Sequence, residues 1–261
     1  MITRRRTLIL VMLLCAPFLI FLLGTVGGLF RNVEIALFCG SVSCPKVISA
    51  LHLSFYTTII STFWAVLLGT PIAYLLAHGR FRGKEILDTM VDFPLVLPPS
   101  AAGIALLLTF GSNGIGPYIH FRPIGTAAAV ILAQLFVASP FYIKQARSGF
   151  ESVSTNLKLA STTLGASAWR TFFKVTVPIS KRSLIAGTTM TWARALGEFG
   201  ATITFAGAFE GKTETMPIAI YTALTSDPPA ASFALAAALV VISFVVLVSA
   251  KLLLGRSAVT S

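Results

Sequence analysis

The stretch "WARALGEFGATITFAG", Trp192 to Gly207, is apolar but holds an arginine and a glutamate four residues apart. A charge at the centre of a bilayer costs roughly 2.5–3.5 kcal/mol on insertion scales, so such residues are kept beside a partner or a wet cavity. On a continuous helix Arg194, Glu198 and Thr202 share one face, and Ala193, Gly197 and Ala201 share the next. The second set has the small-xxx-small spacing that lets another helix approach. Two chemistries fit the charged pair. One is a structural ion pair, although arginine before glutamate is the weaker order for an i,i+4 pair. The other is a near-neutral polar lining for an anion's path, where the glutamate keeps the arginine from trapping its cargo. Nothing else in the chain offers bond-making chemistry. His52, His78 and His120 are scattered, no His/Cys/carboxylate group has metal spacing, and no GxxxxGK[ST] phosphate loop occurs. The reading is therefore of a chain with no catalytic residue, no metal and no cofactor of its own.

The elements that must position the pair are membrane spans. The chain is 56% hydrophobic and only 11% charged, with mean hydropathy +0.86. Soluble domains carry about a quarter charged residues. A spanning helix needs about 20 apolar residues. Six stretches meet this, near 8–29, 49–77, 86–110, 124–146, 184–208 and 231–254. The expected fold is all-α, a polytopic transmembrane bundle. Residues 1–48 form a first helix and outer loop, and 49–261 form the core. The run after "MITRRR" is too long for a signal-peptide h-region and lacks a clean cleavage site, so it reads as a retained span.

Basic residues set the orientation. With the N-terminus inside, fifteen Lys and Arg lie on the inner side, against Arg31, Lys46, Arg122 and Lys212 outside. Both termini are then cytoplasmic in a multi-pass cell-membrane protein. The net charge of +11 is spread over separate inner segments, which argues for topology and against a nucleic-acid partner. Cys39 and Cys44 in the first outer loop face an oxidising side, where a disulfide or two free thiols both fit.

Two further features bear on function. Pro94, Pro98 and Pro99 interrupt the third span, followed by Ser100, Ala101, Ala102 and Gly103. Each proline removes a donor and clashes with the preceding turn, so a kinked or broken helix is expected. Asp88 and Asp92, one turn apart, should pair with Lys84 or with basic residues of the inner loops. The second feature is the inner loop 147–183, 37 residues long. Residues 155–164 suit a helix that Gly165 ends as a C′ residue. A second short helix carries Trp169, Phe172 and Phe173, and Pro178 should stop it. The elbow is more apolar than a solvated loop needs, which fits either lipid headgroups or a docked partner.

The elbow resembles the EAA loop of ATP-binding-cassette importer permeases. That motif runs E-A-A, three residues, G, nine residues, I-x-L-P. Here Leu159, Ala160 and Ser161 take the first three places, then Gly165, Val175, Val177 and Pro178. The glutamate is missing. "DFPLVLPPSAAGIALLLTFG" and "WARALGEFGATITFAGAFEGKTETMPIAIYTAL" resemble the membrane subunit of molybdate/tungstate importers, to which sulfate permeases are close relatives. The similarity covers about residues 49–254.

The resemblance implies a homodimer with one path on its two-fold axis, working by alternating access. It implies two ATP-binding subunits, which hold ATP and Mg, docked on Lys158, Leu159, Ala160, Ser161, Gly165, Ala166 and Trp169. It also implies an extracytoplasmic oxyanion-binding protein. The path or gate is expected at Pro98, Pro99, Ser100, Arg194, Gly197, Glu198 and Thr202. The rivals are a sulfate/thiosulfate importer permease and a stand-alone secondary transporter or channel coupled through Arg194 and Glu198.

Overall fold

The computed structural model describes residues 2–31, 45–112, 114–226 and 232–241, together with 244, 245, 248 and 249. The described residues are helices joined by short turns. In chain order they are α1 Ile2–Arg31, α2 Pro45–His78, α3 Lys84–Val96, α4 Pro99–Phe110, α5 Ala127–Glu151, α6 Thr155–Thr163, α7 Ala168–Thr171, α8 Val177–Leu196, α9 Gly200–Ala206, α10 Met216–Ser226 and α11 Ser232–Val241. A π-helical turn, Phe172–Thr176, joins α7 to α8. Among the described residues three helices are long and apolar enough to cross a membrane: Met12–Arg31 of α1, α2 and α5. The bent pair α3–α4 makes a fourth if counted as one span.

The third stretch breaks where its prolines require. α3 and α4 meet at 114°. Leu97 is extended (φ −69°, ψ 132°), as a residue before proline must be. Pro98 caps α4 and Pro99 starts it, where a missing N–H costs nothing. Pro94 lies inside α3 without ending it.

The expected fifth span, 184–208, is not one helix. α8 stops at Leu196, the chain turns through Gly197, Glu198 and Phe199, and α9 restarts for seven residues. Gly207, at φ +79°, ends it. The inner loop is also shorter than expected, because α5 runs on to Glu151. Pro178 does not stop the second elbow helix. It sits in the first turn of α8, so the backbone stays helical from Ala168 to Leu196. Part of the expected outer loop 209–229 is α10. The expected sixth span is helical over Ser232–Val241; most of its remainder, and Cys39 and Cys44, lie outside the described residues.

Small residues set the packing. A Cβ on Gly69 of α2 would lie 2.9 Å from Tyr142 and Ile143 of α5, and one on Gly149 of α5 would lie 2.5 Å from Ser183 of α8. With lipid as solvent, close backbone approach rather than water exclusion drives helix association. α9 is buried between α4 and α5, where Ala102, Ala129, Ala133, Ala201 and Ala206 surround Leu106, Val130, Val137 and Phe205. At the other end Asp88 pairs with Arg147 (2.6 Å) and Asp92 with Lys144 (2.9 Å), which fastens α3 to α5. Of the partners expected for these aspartates, the basic residues serve and Lys84 does not.

Gly103 of α4 tests this packing, since a Cβ there would lie 2.7 Å from Thr204 Cβ and 2.8 Å from the Ala201 carbonyl. Overpacking costs typically about 1–3 kcal/mol. Gly103→Val should lower the thermal midpoint of the detergent-solubilised protein by several degrees. Gly27→Val, whose added Cβ meets nothing within 4 Å, should leave it unchanged.

Candidate functional site

The two helix interruptions lie against each other. A Cβ on Gly200, the first residue of α9, would lie 2.8 Å from Pro99 Cβ and 3.3 Å from Ser100 N. Only glycine permits this approach. The fold thus joins Pro99 and Ser100 to the turn that carries Glu198. Pro98, Pro99 and Ser100 are exposed on the chain.

Glu198 holds its own turn together. Its Oε2 lies 2.7 Å from Arg194 Nη2, in the last turn of α8. Its Oε1 accepts a hydrogen bond from the Ala201 N–H at 2.9 Å, in the first turn of α9. The carboxylate is 1% exposed, whereas the Arg194 side chain is 29% exposed. The pair therefore presents an accessible cation backed by a buried anion. Arg194 is also placed well for the helix dipole, since cations are favoured at C-termini.

The helical break changes the expected faces. Thr202 is fully buried, with its hydroxyl unpartnered among the described residues. Gly197 is exposed, and a Cβ there would meet only the Ala193 carbonyl, at 3.8 Å. The close approach expected at Ala193, Gly197 and Ala201 instead falls, within this chain, at Gly103, Gly200 and Ala201.

The elbow residues lie far along the chain from this site, beyond the start of α8. Ser154 accepts a hydrogen bond from the Asn156 N–H and so caps α6, and Ser167 accepts one from the Arg170 N–H and caps α7. Gly165 has φ +80°, the left-handed C′ geometry read from the sequence. Ser161 and Thr171 hydroxyls, 2.9 Å apart, fix the angle between α6 and α7. Leu159, Leu164 and Trp169 are exposed, Trp169 by 73%, and Trp169 stacks on Phe173 at 5.7 Å. Ala160 is exposed and Ala166 half-buried. Lys158 turns inward to contact His78 at the end of α2, and burial lowers its pKa from the ordinary lysine value. Glu151 pairs with Arg147 at 2.8 Å. Both charges near the missing EAA glutamate are therefore engaged within the chain.

The profile of the binding-protein-dependent transport system inner membrane component matches residues 65–258. The chain belongs to this family. Its relatives include the molybdenum transport system permease protein ModB of Mycobacterium tuberculosis, 40% identical over 80% of each chain. The molybdate/tungstate permease protein WtpB of Pyrococcus furiosus is 37% identical over 81% of this chain and 80% of its own. The sulfate permease protein CysW of Synechococcus elongatus is 35% identical over 80% of this chain and 74% of its own. A bacterial ABC transporter for the acidic polysaccharide alginate shares the fold, with TM-score 0.74 at 16% identity over 97% of this chain and 96% of its own.

The permease also contains polar features that the sequence reading passed over. Ser54, Thr57, Thr58, Ser61 and Thr62 form one buried face of α2 at i, i+3, i+4, i+7 and i+8. The Gln134 amide donates to Thr58 Oγ1 at 3.4 Å, and Ser54 Oγ accepts from the Met216 N–H at 2.7 Å. The helical spacing of hydroxyls was the available signal. Glu214, 3% exposed, accepts from the Thr222 hydroxyl and lies 3.5 Å from Lys46 Nζ. These groups tie α2 to α5 and α10.

The two jobs of Glu198 can be separated. Glu198→Gln keeps an acceptor for the Ala201 N–H and removes the ion pair, while Glu198→Ala removes both. Removing a buried partner costs roughly 1–3 kcal/mol. Thermal unfolding in detergent should rank wild type above Gln above Ala, and Arg194→Gln in the Ala background should recover part of the loss.

Proposed function

We propose that this permease carries a tetrahedral oxyanion, molybdate or tungstate, as one half of a homodimer in an ATP-driven importer. The observation that carries the reading is the paired break, where the 114° bend before Pro99 abuts the turn that exposes Arg194. Irregular backbone at membrane depth is tolerated where protein or a water-filled cavity covers it. An arginine left partly exposed at the break attracts a dianion. Glu198 behind it lowers the net charge, so that the ion is not held in a deep well. The names of the relatives support molybdate and tungstate, and the sulfate permease among them supports sulfate as the second substrate.

In this reading two partner subunits bind ATP and Mg and dock on the exposed elbow around Leu159, Leu164 and Trp169. This chain performs no bond chemistry. ATP binding draws the elbows together. Motion passes by two routes: through Lys158 and His78 to α2, and through the π turn into α8, whose last turn carries Arg194. Tilting α8 against α4 then opens the break to the other side. Both termini are cytoplasmic, and an extracytoplasmic binding protein delivers the oxyanion to the outer face.

The test is ATP-dependent uptake of labelled molybdate by the reconstituted complex, with tungstate and sulfate as competitors. Uptake should need ATP and both partners, and tungstate should compete better than sulfate. ATP-independent uptake by the chain alone sinks the reading. The double variant Arg194→Gln/Glu198→Gln keeps a neutral hydrogen-bonding pair at the break. It should assemble normally and lose molybdate uptake; full uptake would mean that the pair serves structure only. Gly165→Val forces a β-branched residue into the left-handed region, at a cost of roughly 1–2 kcal/mol. It should uncouple ATP hydrolysis from transport or abolish assembly, read as the ratio of the two rates.

A further inference from the structure

We infer that the α2–α3 connection and the adjoining face of α3 bind one anionic phospholipid, its phosphate at Arg80 and Lys84 and an acyl chain along Ile86, Met90 and Phe93. The inference rests on the orientation proposed above, which puts this connection at the inner surface. A cleft of about 490 Å³ is lined by Arg80, Phe81, Lys84, Glu85 and Ile86, among others. A second, of about 410 Å³, continues along α3 between Glu85, Ile86, Thr89, Met90 and Phe93. The two share Glu85 and Ile86, so they form one groove, basic at one end and mainly apolar at the other.

Unpaired charge distinguishes this groove from the basic residues of α5 and α6. Lys144, Arg147 and Lys158 each have a partner within the chain. Arg80, Arg82 and Lys84 have no ion-pair partner among the described residues. Glu85 is the one carboxylate lining the groove, so its basic end keeps a positive balance. Clustered basic residues just cytoplasmic of a span attract anionic headgroups. Phe81 is 38% exposed beside the bases. Ile86, Met90 and Phe93 are 67%, 67% and 57% exposed and face the same way as one helical stripe. A free oxyanion satisfies the bases but leaves this stripe bare. A phospholipid covers both.

The test uses the full-length chain in nanodiscs of mixed phosphatidylglycerol and phosphatidylcholine, with retained lipid counted by native mass spectrometry. Phosphatidylglycerol should be retained preferentially. Arg80→Gln/Lys84→Gln should weaken that retention roughly 25-fold, at about fivefold for each basic residue near the surface. Ile86→Gln/Met90→Gln should weaken retention of both lipids. Equal retention of the two lipids by the wild type overturns the proposal. So does displacement of phosphatidylglycerol by millimolar inorganic phosphate, which would mark a site for free anions. Spontaneous Met90→Cys cross-linking between copies in membranes also overturns it, because a second copy would then cover the groove. Impermeant labelling of Arg82→Cys from the outer side would instead sink the proposed orientation, leaving the lipid preference to be judged by itself.

Discussion

Glu198 sits where the backbone of one helix stops and that of another begins, and its two carboxylate oxygens serve the two sides. One takes the guanidinium that closes α8, and the other takes an N–H that opens α9. A helix end inside a membrane leaves backbone groups with no water to turn to. This carboxylate supplies an acceptor where the α9 N-terminus lacks one, and its charge is balanced by the arginine four residues earlier. The arrangement also explains the unfavourable order of the pair. On an unbroken helix arginine before glutamate is the weaker orientation. Across a break the glutamate belongs to the start of the next helix, where a negative charge is favoured.

The neighbouring break solves the same problem in another way. At Pro98 and Pro99 two donors are deleted rather than satisfied, and the Ala102 N–H returns to the Pro98 carbonyl at 3.0 Å. A proline-made break and a carboxylate-made break then pack together through Gly200, with Gly103 one turn further along α4. The two glycines are what allow the interruptions to share one place in the bundle. Side chains there would push α4 from α9 and separate the bend from the charged pair.

Much of this is legible in the sequence, and the exceptions have physical causes. The prolines announce the bend, since an imino acid acts locally and needs no partner to be felt. Gly165 announces the end of α6 for the same reason. The break at Gly197 is not legible, because "ALGEFGAT" contains no proline and its apolar run continues on both sides. It depends on a hydrogen bond that Glu198 accepts from the backbone N–H three residues on and on packing against α4, neither of which has a periodic signature. Pro178 misleads in the opposite sense. A proline reads equally as the end of one helix or the first turn of the next, and only the continuous backbone through the π turn decides. The hydroxyl face of α2 has clear helical spacing, yet serine and threonine are also tolerated singly in spans through bonds to their own helix, as Thr57 does with Leu53.

The continuity from Ala168 to Leu196 links the two ends of the molecule. A loop between elbow and span would absorb a push at Trp169 in local rotation. A helical backbone transmits it as tilt, and the π turn at Phe172–Thr176 is the one irregular point along the way. That turn is braced on α2 and α5, because Phe172 packs edge-on to Tyr74 and against Phe150. In the proposed coupling the helix would act as a lever with its fulcrum near the elbow and a long arm toward Arg194. Such an arm would amplify a small displacement at the elbow into a larger one at the paired break. At the break the regular run of backbone hydrogen bonds gives way to two turn bonds, from Gly197 N–H to the Ala193 carbonyl and from Glu198 N–H to the Ala195 carbonyl, and the Glu198 carboxylate reaches across to Ala201. In the proposed coupling, force applied at the exposed elbow would arrive at the position between α8 and α9 where the two can change their angle without unwinding either helix.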